Sequence, residues 1–236
     1  MGGYFILLGE ERKMEFKLFK KLGSLEGVEL YMLLIAAALF IGLAVAVAAY
    51  TRKAKANAVP DMIHMSRTRK LVYGALSVTL SFVLSYFKLF SMPFGGSITL
   101  VSMLPLILYA SYFGPACGFT AAFAYSLLQV IQGPYIVHWA QFILDYFVAF
   151  TVLGLASLFP KKLVLGAAVA GFTRMLVSTA SGAIFFGSSG LDYGIVNPWV
   201  YSLAYNGLTI GVDTVLCMVV AALPPVKRAV ASLWKE

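Results

Sequence analysis

The feature that most constrains this chain is a long stretch without charge, because no Asp, Glu, Lys or Arg occurs from Leu89 to Leu144. A domain in water cannot build its surface from such a stretch, whereas helices that face lipid can. Of the 236 residues, 61% are hydrophobic and only 12% are charged, about half the charged share of ordinary soluble domains. Backbone groups in lipid must be satisfied within their own segment, so the apolar runs predict helices rather than strands. We therefore expect an all-α integral membrane protein.

Turn residues divide the apolar sequence into seven candidate transmembrane helices of about the 20 residues that cross a bilayer. The runs are Leu30 to Thr51, Leu71 to Phe87, Ser97 to Phe113, Pro115 to Gln132, Val137 to Phe159, Leu163 to Gly187 and Trp199 to Leu223. We predict a six-helix transmembrane bundle with one additional N-terminal transmembrane helix. Residues 1–66 are predicted to be an N-terminal extension with a transmembrane helix at about 30–51 and a basic linker, and residues 67–236 the six-helix domain.

The positive charges concentrate in the loops on one side of the predicted bundle, and they explain most of the net charge of +8. The loops that carry them contain residues 52–70, Lys161, Lys162, Lys227 and Arg228. The opposite loops hold only Asp192. Because cytoplasmic loops are enriched in Lys and Arg, both ends of the six-helix core are predicted to be cytoplasmic in a multi-pass plasma-membrane protein. Nucleic acid is not an expected partner.

Polar side chains within the fifth run mark a candidate binding site. His138, Gln141 and Asp145 recur at helical spacing, and Tyr146 follows them. Ionisable groups inside a bilayer are costly and usually face a cavity or one another. The spacing favours a ligand-binding role for Asp145, with hydrogen bonding between helices as the alternative.

The sixth run carries a stripe of polar and small residues, and the seventh opens with aromatic residues and an amide. The residues are Arg174, Ser178, Ser181 and Gly182 in the sixth run, and Trp199, Tyr201, Tyr205 and Asn206 in the seventh. Helix packing by small residues, an interfacial aromatic belt and a buried Arg174–Asp213 ion pair are the simpler explanations. A carboxylate with amides and aromatic rings also suits a small, flat, polar or cationic ligand.

Four motifs in a fixed order carry a resemblance to a known family. They are Met92-Pro93-Phe94-Gly95-Gly96-Ser97, His138-Trp-Ala-Gln141-Phe-Ile-Leu-Asp145-Tyr146, Arg174 through Ser181-Gly182-Ala-Ile-Phe-Phe186-Gly187, and Trp199-Val-Tyr201-Ser202-Leu-Ala-Tyr205-Asn206. From about Arg69 to Leu223 the chain resembles the thiamine-specific substrate-binding subunit (S component) of energy-coupling factor (ECF) transporters, of the YuaJ/ThiT type. The resemblance implies the ECF S-component fold and high-affinity capture of vitamin B1 from outside a bacterial-type cell.

The resemblance also implies partners. They are a transmembrane coupling subunit and two cytoplasmic ATPase subunits that use ATP, so the chain itself is expected to be neither an enzyme nor dependent on a cofactor. The sequence contains no G-x-x-x-x-G-K-[ST] phosphate-binding loop, which agrees with this expectation. For docking the coupling subunit, the resemblance implies small residues on the first core helix, namely Gly74, Ala75 and Thr79.

The resemblance further implies a set of substrate-binding residues. They are Asp145, Tyr146, Gly182, Phe186, Tyr201 and Asn206, with Ser178, His138, Phe94 and Trp199 as further candidates. Ser178 stands where the family often has His, and Phe94 is the nearest candidate for a Trp of the first loop. These departures leave thiamine, a phosphorylated form, and a pyrimidine or thiazole precursor open as ligands.

Two functions of other classes are weighed against a transporter subunit. An autonomous proton-coupled carrier would use Asp145 or Asp213, but the internal repeat that many carriers show is not visible. An intramembrane serine hydrolase with Ser181 lacks a histidine base later in the chain. No metal site is expected, since Cys117 and Cys217 lie within apolar runs and form no spaced pair with His.

Overall fold

The computed structural model describes residues 66–160 and 162–233. In chain order the elements are α1 (Arg67–Tyr86), β1 (Lys88–Ser91), β2 (Ser97–Thr99), α2 (Leu104–Phe113), α3 (Pro115–Ile131), α4 (Trp139–Leu158), α5 (Leu163–Phe185), α6 (Pro198–Ala222) and α7 (Pro224–Leu233). Short 3-10 turns occupy Pro93–Gly95 and Gly187–Tyr193. The predicted helix from Leu30 to Thr51 lies outside the described residues, as does the rest of the predicted N-terminal extension up to residue 65.

Three helices, α4, α5 and α6, are long and apolar enough to cross a membrane, and α2 and α3 are apolar but shorter. Large apolar side chains also point outward on several helices: Leu76, Leu127 and Val219 are each between 45% and 61% exposed. So much exposed apolar surface is unfavourable in water and favourable in lipid. The described chain is an all-α integral membrane protein, to which the structure adds one short hairpin.

That hairpin corrects the predicted third helix, which was wrong over its first part. Ser97–Thr99 forms β2 and pairs antiparallel with β1, with Ser91 opposite Ser97. Val101 then has a positive φ of 47°, and the helix begins only at Leu104. Hydropathy alone does not separate an apolar strand from an apolar helix, and the paired strand here satisfies its backbone groups through β1.

The other helix ends follow recognisable signals. Gly114, with φ of 83°, separates α2 from α3, and Pro115 occupies the first turn of α3, where its missing N–H costs nothing. The side chain of Asn197 caps α6 by accepting a hydrogen bond from the Trp199 N–H at 2.9 Å. The predicted bounds of the last four helices agree with the structure to within two residues.

Small residues let the helices approach closely around the core. The core includes Met103, Ile107 and Leu153, all fully buried, together with the free thiol of Cys217. A Cβ at Gly154 would lie 2.7 Å from the Phe119 ring, so only glycine fits there. Gly154 thereby lets the second half of α4 pack closely against α3.

Candidate functional site

One cavity of about 190 Å³ lies where α4, α5, α6 and the β1–β2 turn meet. We divide it into a mouth and a base. The mouth is lined by Phe94, Tyr135, Gln141, Asp145, Tyr146, Gly182, Phe186, Tyr201, Tyr205 and Asn206. The base is lined by Thr99, Ser102, Tyr125, Phe150, Arg174 and Asp213. Tyr135 at the mouth is 43% exposed, whereas Tyr125 and Asp213 at the base are almost completely buried.

The carboxylate of Asp145 is held at the mouth by an uncharged group. Gln141 Nε2 donates to Asp145 Oδ2 at 2.8 Å and also to the Tyr135 carbonyl at 3.1 Å. The hydroxyl of Tyr146 accepts from the Tyr135 N–H at 2.9 Å. The loop before α4 is thereby attached to α4. None of these contacts brings a positively charged group to the carboxylate of Asp145.

Two π-helical segments coincide with the mouth. In α4 the π-helix covers Ile143–Val148 and includes Asp145 and Tyr146, and in α6 it covers Gly207–Gly211, directly after Asn206. Such segments are rare and occur frequently at functional sites. Gln141 and Asp145 share the side of α4 that faces the cavity, as their spacing predicts, whereas His138 stands before the helix as its cap.

Three aromatic rings from three different segments meet at the mouth. Phe94 lies on the hairpin turn, Tyr135 on the loop before α4, and Phe186 at the end of α5. Their ring centroids are 5.9 Å apart for Phe94 and Tyr135, 5.8 Å for Phe94 and Phe186, and 6.0 Å for Tyr135 and Phe186. Rings at such separations provide faces for stacking and for cation–π contact with an aromatic cation.

The amide of Asn206 braces α6 against α5. Its Nδ2 donates to the Ser202 carbonyl at 3.0 Å and to the Ser178 carbonyl at 3.3 Å. The Ser202 hydroxyl in turn donates to the Thr179 carbonyl at 2.7 Å. Gly182 makes this approach possible, because an added Cβ would lie 3.4 Å from Asn206 Nδ2 and closer still to Ser202.

The base contains a cation and a carboxylate that are not directly hydrogen-bonded to each other. Thr99 donates to Asp213 Oδ2 at 2.9 Å, and the guanidinium of Arg174 lies 4.1 Å from the centre of the Phe150 ring. Asp213 Oδ1 and Arg174 Nε are both buried without a hydrogen-bond partner. The predicted Arg174–Asp213 pair thus shares the base without a direct hydrogen bond, with Asp213 bonded to Thr99 and Arg174 on the Phe150 ring.

The cavity brings together all but two of the predicted binding residues. Asp145, Tyr146, Gly182, Phe186, Tyr201, Asn206, Ser178 and Phe94 line it. His138 instead caps α4 through Nδ1, which accepts from the Ala140 N–H at 3.1 Å, and its ring stacks on Phe185. Trp199 lies at the start of α6, 57% exposed, and is not among the lining residues.

Two aromatic residues of the mouth, Tyr135 and Tyr205, are not among the predicted binding residues. Tyr135 follows the Gly133–Pro134 turn, and Tyr205 was noted only as part of an aromatic helix end. A turn signal predicts a loop but not the direction in which its next side chain points, and the helical positions were read as an interfacial belt.

The three residues predicted to dock a partner do not share one environment. Gly74 is buried against Tyr109, and an added Cβ there would lie 2.8 Å from the Tyr109 hydroxyl. Ala75 and Thr79 are exposed on the outer side of α1. Among residues 66–160 and 162–233, no group of three His, Cys, Asp or Glu side chains stands close enough to hold a metal ion.

Comparison with known proteins identifies the family. A family model described as "Thiamine transporter protein" matches residues 71–232, which is most of the chain. The chain belongs to this family. A curated relative, thiamine transporter ThiT of Bacillus subtilis (strain 168), is 32% identical over 169 residues, covering 64% of this chain and 85% of the relative. The resemblance seen in the four motifs is confirmed.

A solved structure supports the same fold. The structure of ThiT from Listeria monocytogenes matches with a TM-score of 0.55 at 20% sequence identity, and the match covers 68% of this chain and 97% of that chain. At this identity the likeness establishes the fold. The predicted S-component fold, a bundle of membrane helices, is confirmed for the matched region.

Proposed function

We propose that the cavity binds thiamine and that this chain is the substrate-binding subunit of a thiamine uptake system. The observation that supports this most is the mouth itself, where Asp145 and three aromatic rings surround one space in a member of the thiamine transporter family. Thiamine combines a flat cationic ring with a polar pyrimidine. The rings offer stacking, and Asp145, which accepts a hydrogen bond from the neutral Gln141, offers the counter-charge.

Direct binding tests this proposal. The purified chain in lipid nanodiscs is titrated calorimetrically with thiamine, thiamine monophosphate, the aminopyrimidine half and the hydroxyethyl-thiazole half. We expect thiamine to bind stoichiometrically and more tightly than either half, and to raise the melting temperature by mass action. Binding of one half alone would replace thiamine by a precursor as the substrate. Absence of binding to all four compounds would contradict the proposal.

We further infer that uptake requires an ECF coupling subunit and two ATPase subunits, in a cell membrane with the core termini in the cytoplasm. The exposed positions Ala75 and Thr79 on α1 support a docking face, because small residues there leave room for a partner helix. Gly74 contributes to this face only indirectly, through the packing of α1 on Tyr109.

Uptake measurements separate this from an autonomous carrier. Cells that express the chain alone should take up labelled thiamine no faster than control cells, and co-expression of the coupling and ATPase subunits should restore uptake. An Ala75→Trp variant should bind thiamine normally and lose the restored uptake. An exposed substitution on another helix, Leu127→Trp, is the matched control. Concentrative uptake by the chain alone would favour the proton-coupled carrier instead.

A further inference from the structure

A tyrosine of α6 bridges the two sides of the hairpin turn at the mouth. The hydroxyl of Tyr205 donates to the Pro93 carbonyl and accepts from the Gly96 N–H at 2.8 Å. One side chain thus satisfies a backbone acceptor and a backbone donor of a turn far away in the sequence. Neither group is bonded within the β1–β2 pair itself, so the turn depends on α6 for both bonds.

The close approach of Tyr205 requires glycine at position 96. A Cβ added to Gly96 would lie 2.7 Å from Tyr205 Cζ and 2.8 Å from Cε1. The ring could not remain in place beside any larger residue. By contrast, a Cβ added to Gly207, which follows on the same helix, would meet nothing within 4 Å.

Phe94 is the residue that this bridge encloses. It lies between Pro93 and Gly96 and has a φ of 61°, in the left-handed region that aromatic residues rarely adopt. Residues in such conformations persist only where their surroundings hold them. The conformation directs the Phe94 ring toward Tyr135 and Phe186, where it lines the cavity.

We propose that Tyr205 is a positioning residue. Through its hydrogen bonds to both sides of the turn, it holds the Phe94 ring over the mouth and slows the release of the bound molecule. The proposal rests on the proposed function in that thiamine is the molecule whose release is measured. Tyr205 acts through the turn, so its effect falls on dissociation more than on association.

The first test compares release rates. Labelled thiamine is allowed to dissociate from nanodisc-embedded wild-type protein, Tyr205→Phe and Gly96→Ala. Loss of one or two hydrogen bonds predicts a dissociation rate about 5- to 30-fold faster in Tyr205→Phe. Gly96→Ala should change the rate in the same direction, because its Cβ displaces the Tyr205 ring. Tyr193→Phe and Gly207→Ala are the matched controls, and both should release thiamine at the wild-type rate.

A double-mutant cycle distinguishes positioning from direct contact, since Tyr205 also lines the cavity. If Tyr205 acts through the turn, adding Tyr205→Phe to Phe94→Ala should accelerate release little beyond Phe94→Ala alone. Fully additive effects would mean that Tyr205 binds thiamine itself, and would overturn the proposal. An unchanged release rate in Tyr205→Phe would overturn it as well.

Hydrogen exchange tests the bridge formed by the Tyr205 hydroxyl without any ligand. The Gly96 amide donates to the Tyr205 hydroxyl, so Tyr205→Phe should speed deuterium uptake in a peptide that covers residues 92–97, whereas Tyr193→Phe should not. If the wild type binds no thiamine, the proposed function fails, and the exchange result still decides whether the Tyr205 bridge to the turn exists. Equal exchange in Tyr205→Phe and the wild type would overturn the proposed role of the Tyr205 bridge, whatever the binding result.

Discussion

The mouth and the base of the cavity each contain one carboxylate, in different surroundings. At the mouth, Asp145 is hydrogen-bonded by the neutral amide of Gln141. At the base, Asp213 accepts from Thr99, and Arg174 lines the same part of the cavity. Opposite charges that share a buried space compensate each other, whereas burial among neutral groups disfavours the charged form of a carboxylate, so a cationic ligand is the group that would stabilise that form at the mouth.

The distribution of aromatic rings deepens this contrast. Phe94, Tyr135 and Phe186 come from three segments and meet at the mouth, whereas the Phe150 ring at the base is covered by Arg174. A ring that already carries a cation is not free to stack on another. We infer that recognition of a cationic ligand is concentrated at the mouth and that the base chiefly supports the fold around it.

The largest expected effect comes from removing the charge at the mouth. Asp145→Asn keeps the shape of the side chain, and loss of a charged hydrogen bond should weaken thiamine binding by about 1–3 kcal/mol, or roughly 5- to 150-fold. Calorimetric titration measures the change. Asp192→Asn, at an exposed acidic position, is the control and should bind like the wild type. Unchanged affinity in Asp145→Asn would remove Asp145 from the site.

The base should respond in stability rather than in affinity. Thr99→Val removes the hydroxyl that donates to Asp213 Oδ2, which leaves the buried carboxylate without that bond. We expect a loss of about 1–2 kcal/mol in the free energy of unfolding, visible as a lower melting temperature of the ligand-free protein.

A control for this change is Thr120→Val, because the Thr120 hydroxyl is exposed and bonds only within its own helix, to the Ala116 carbonyl at 2.8 Å. It should leave the melting temperature almost unchanged. If Thr99→Val instead weakened thiamine binding as much as Asp145→Asn, mouth and base would form a single binding site and the division between them would be wrong.

Much of the helical framework was accessible from the sequence, because apolar runs in a membrane protein end where turn residues occur. The run predicted from Pro115 to Gln132 is a helix over Pro115–Ile131, with Gly114 and Pro115 marking its start. The hairpin was missed since Ser97–Thr99 contains neither a charge nor a helix breaker and has its partner strand beyond a turn. A strand is defined by its pairing, which hydropathy does not contain.

At the mouth, residue type was predictable and direction was not. Asp145 was recognised because a carboxylate within an apolar run is costly and needs a reason. His138 is grouped with it by helical spacing, but the helix begins at Trp139, and His138 precedes it with extended backbone and caps it at the Ala140 N–H. Tyr135 could be found only from the hydrogen bonds that fix its loop.

A smaller effect should follow from replacing one aromatic side chain of the mouth by an aliphatic one. Phe186→Leu removes an aromatic face from the cavity, and the lost stacking should weaken thiamine binding by about 0.5–1.5 kcal/mol, or roughly 2- to 12-fold. The neighbouring Phe185 offers a matched control, because its ring stacks on His138, with centroids 5.0 Å apart. Titration of Phe185→Leu should give the wild-type affinity. Equal losses in the two variants would indicate a general disturbance of α5.

The smallest expected effect defines the border of the mouth. Trp199 is a predicted substrate-binding residue, yet it is 57% exposed at the start of α6. Tyr201, two residues further along α6, lines the cavity. Exposed substitutions usually change free energies by no more than about 0.5 kcal/mol, so Trp199→Phe should alter thiamine affinity less than about twofold. Calorimetric titration with thiamine measures the affinity of Trp199→Phe, and Tyr201→Phe serves as the comparison at a residue that lines the cavity. A loss of tenfold or more in Trp199→Phe would extend the binding surface to the start of α6, and the mouth would then include the cap formed by Asn197.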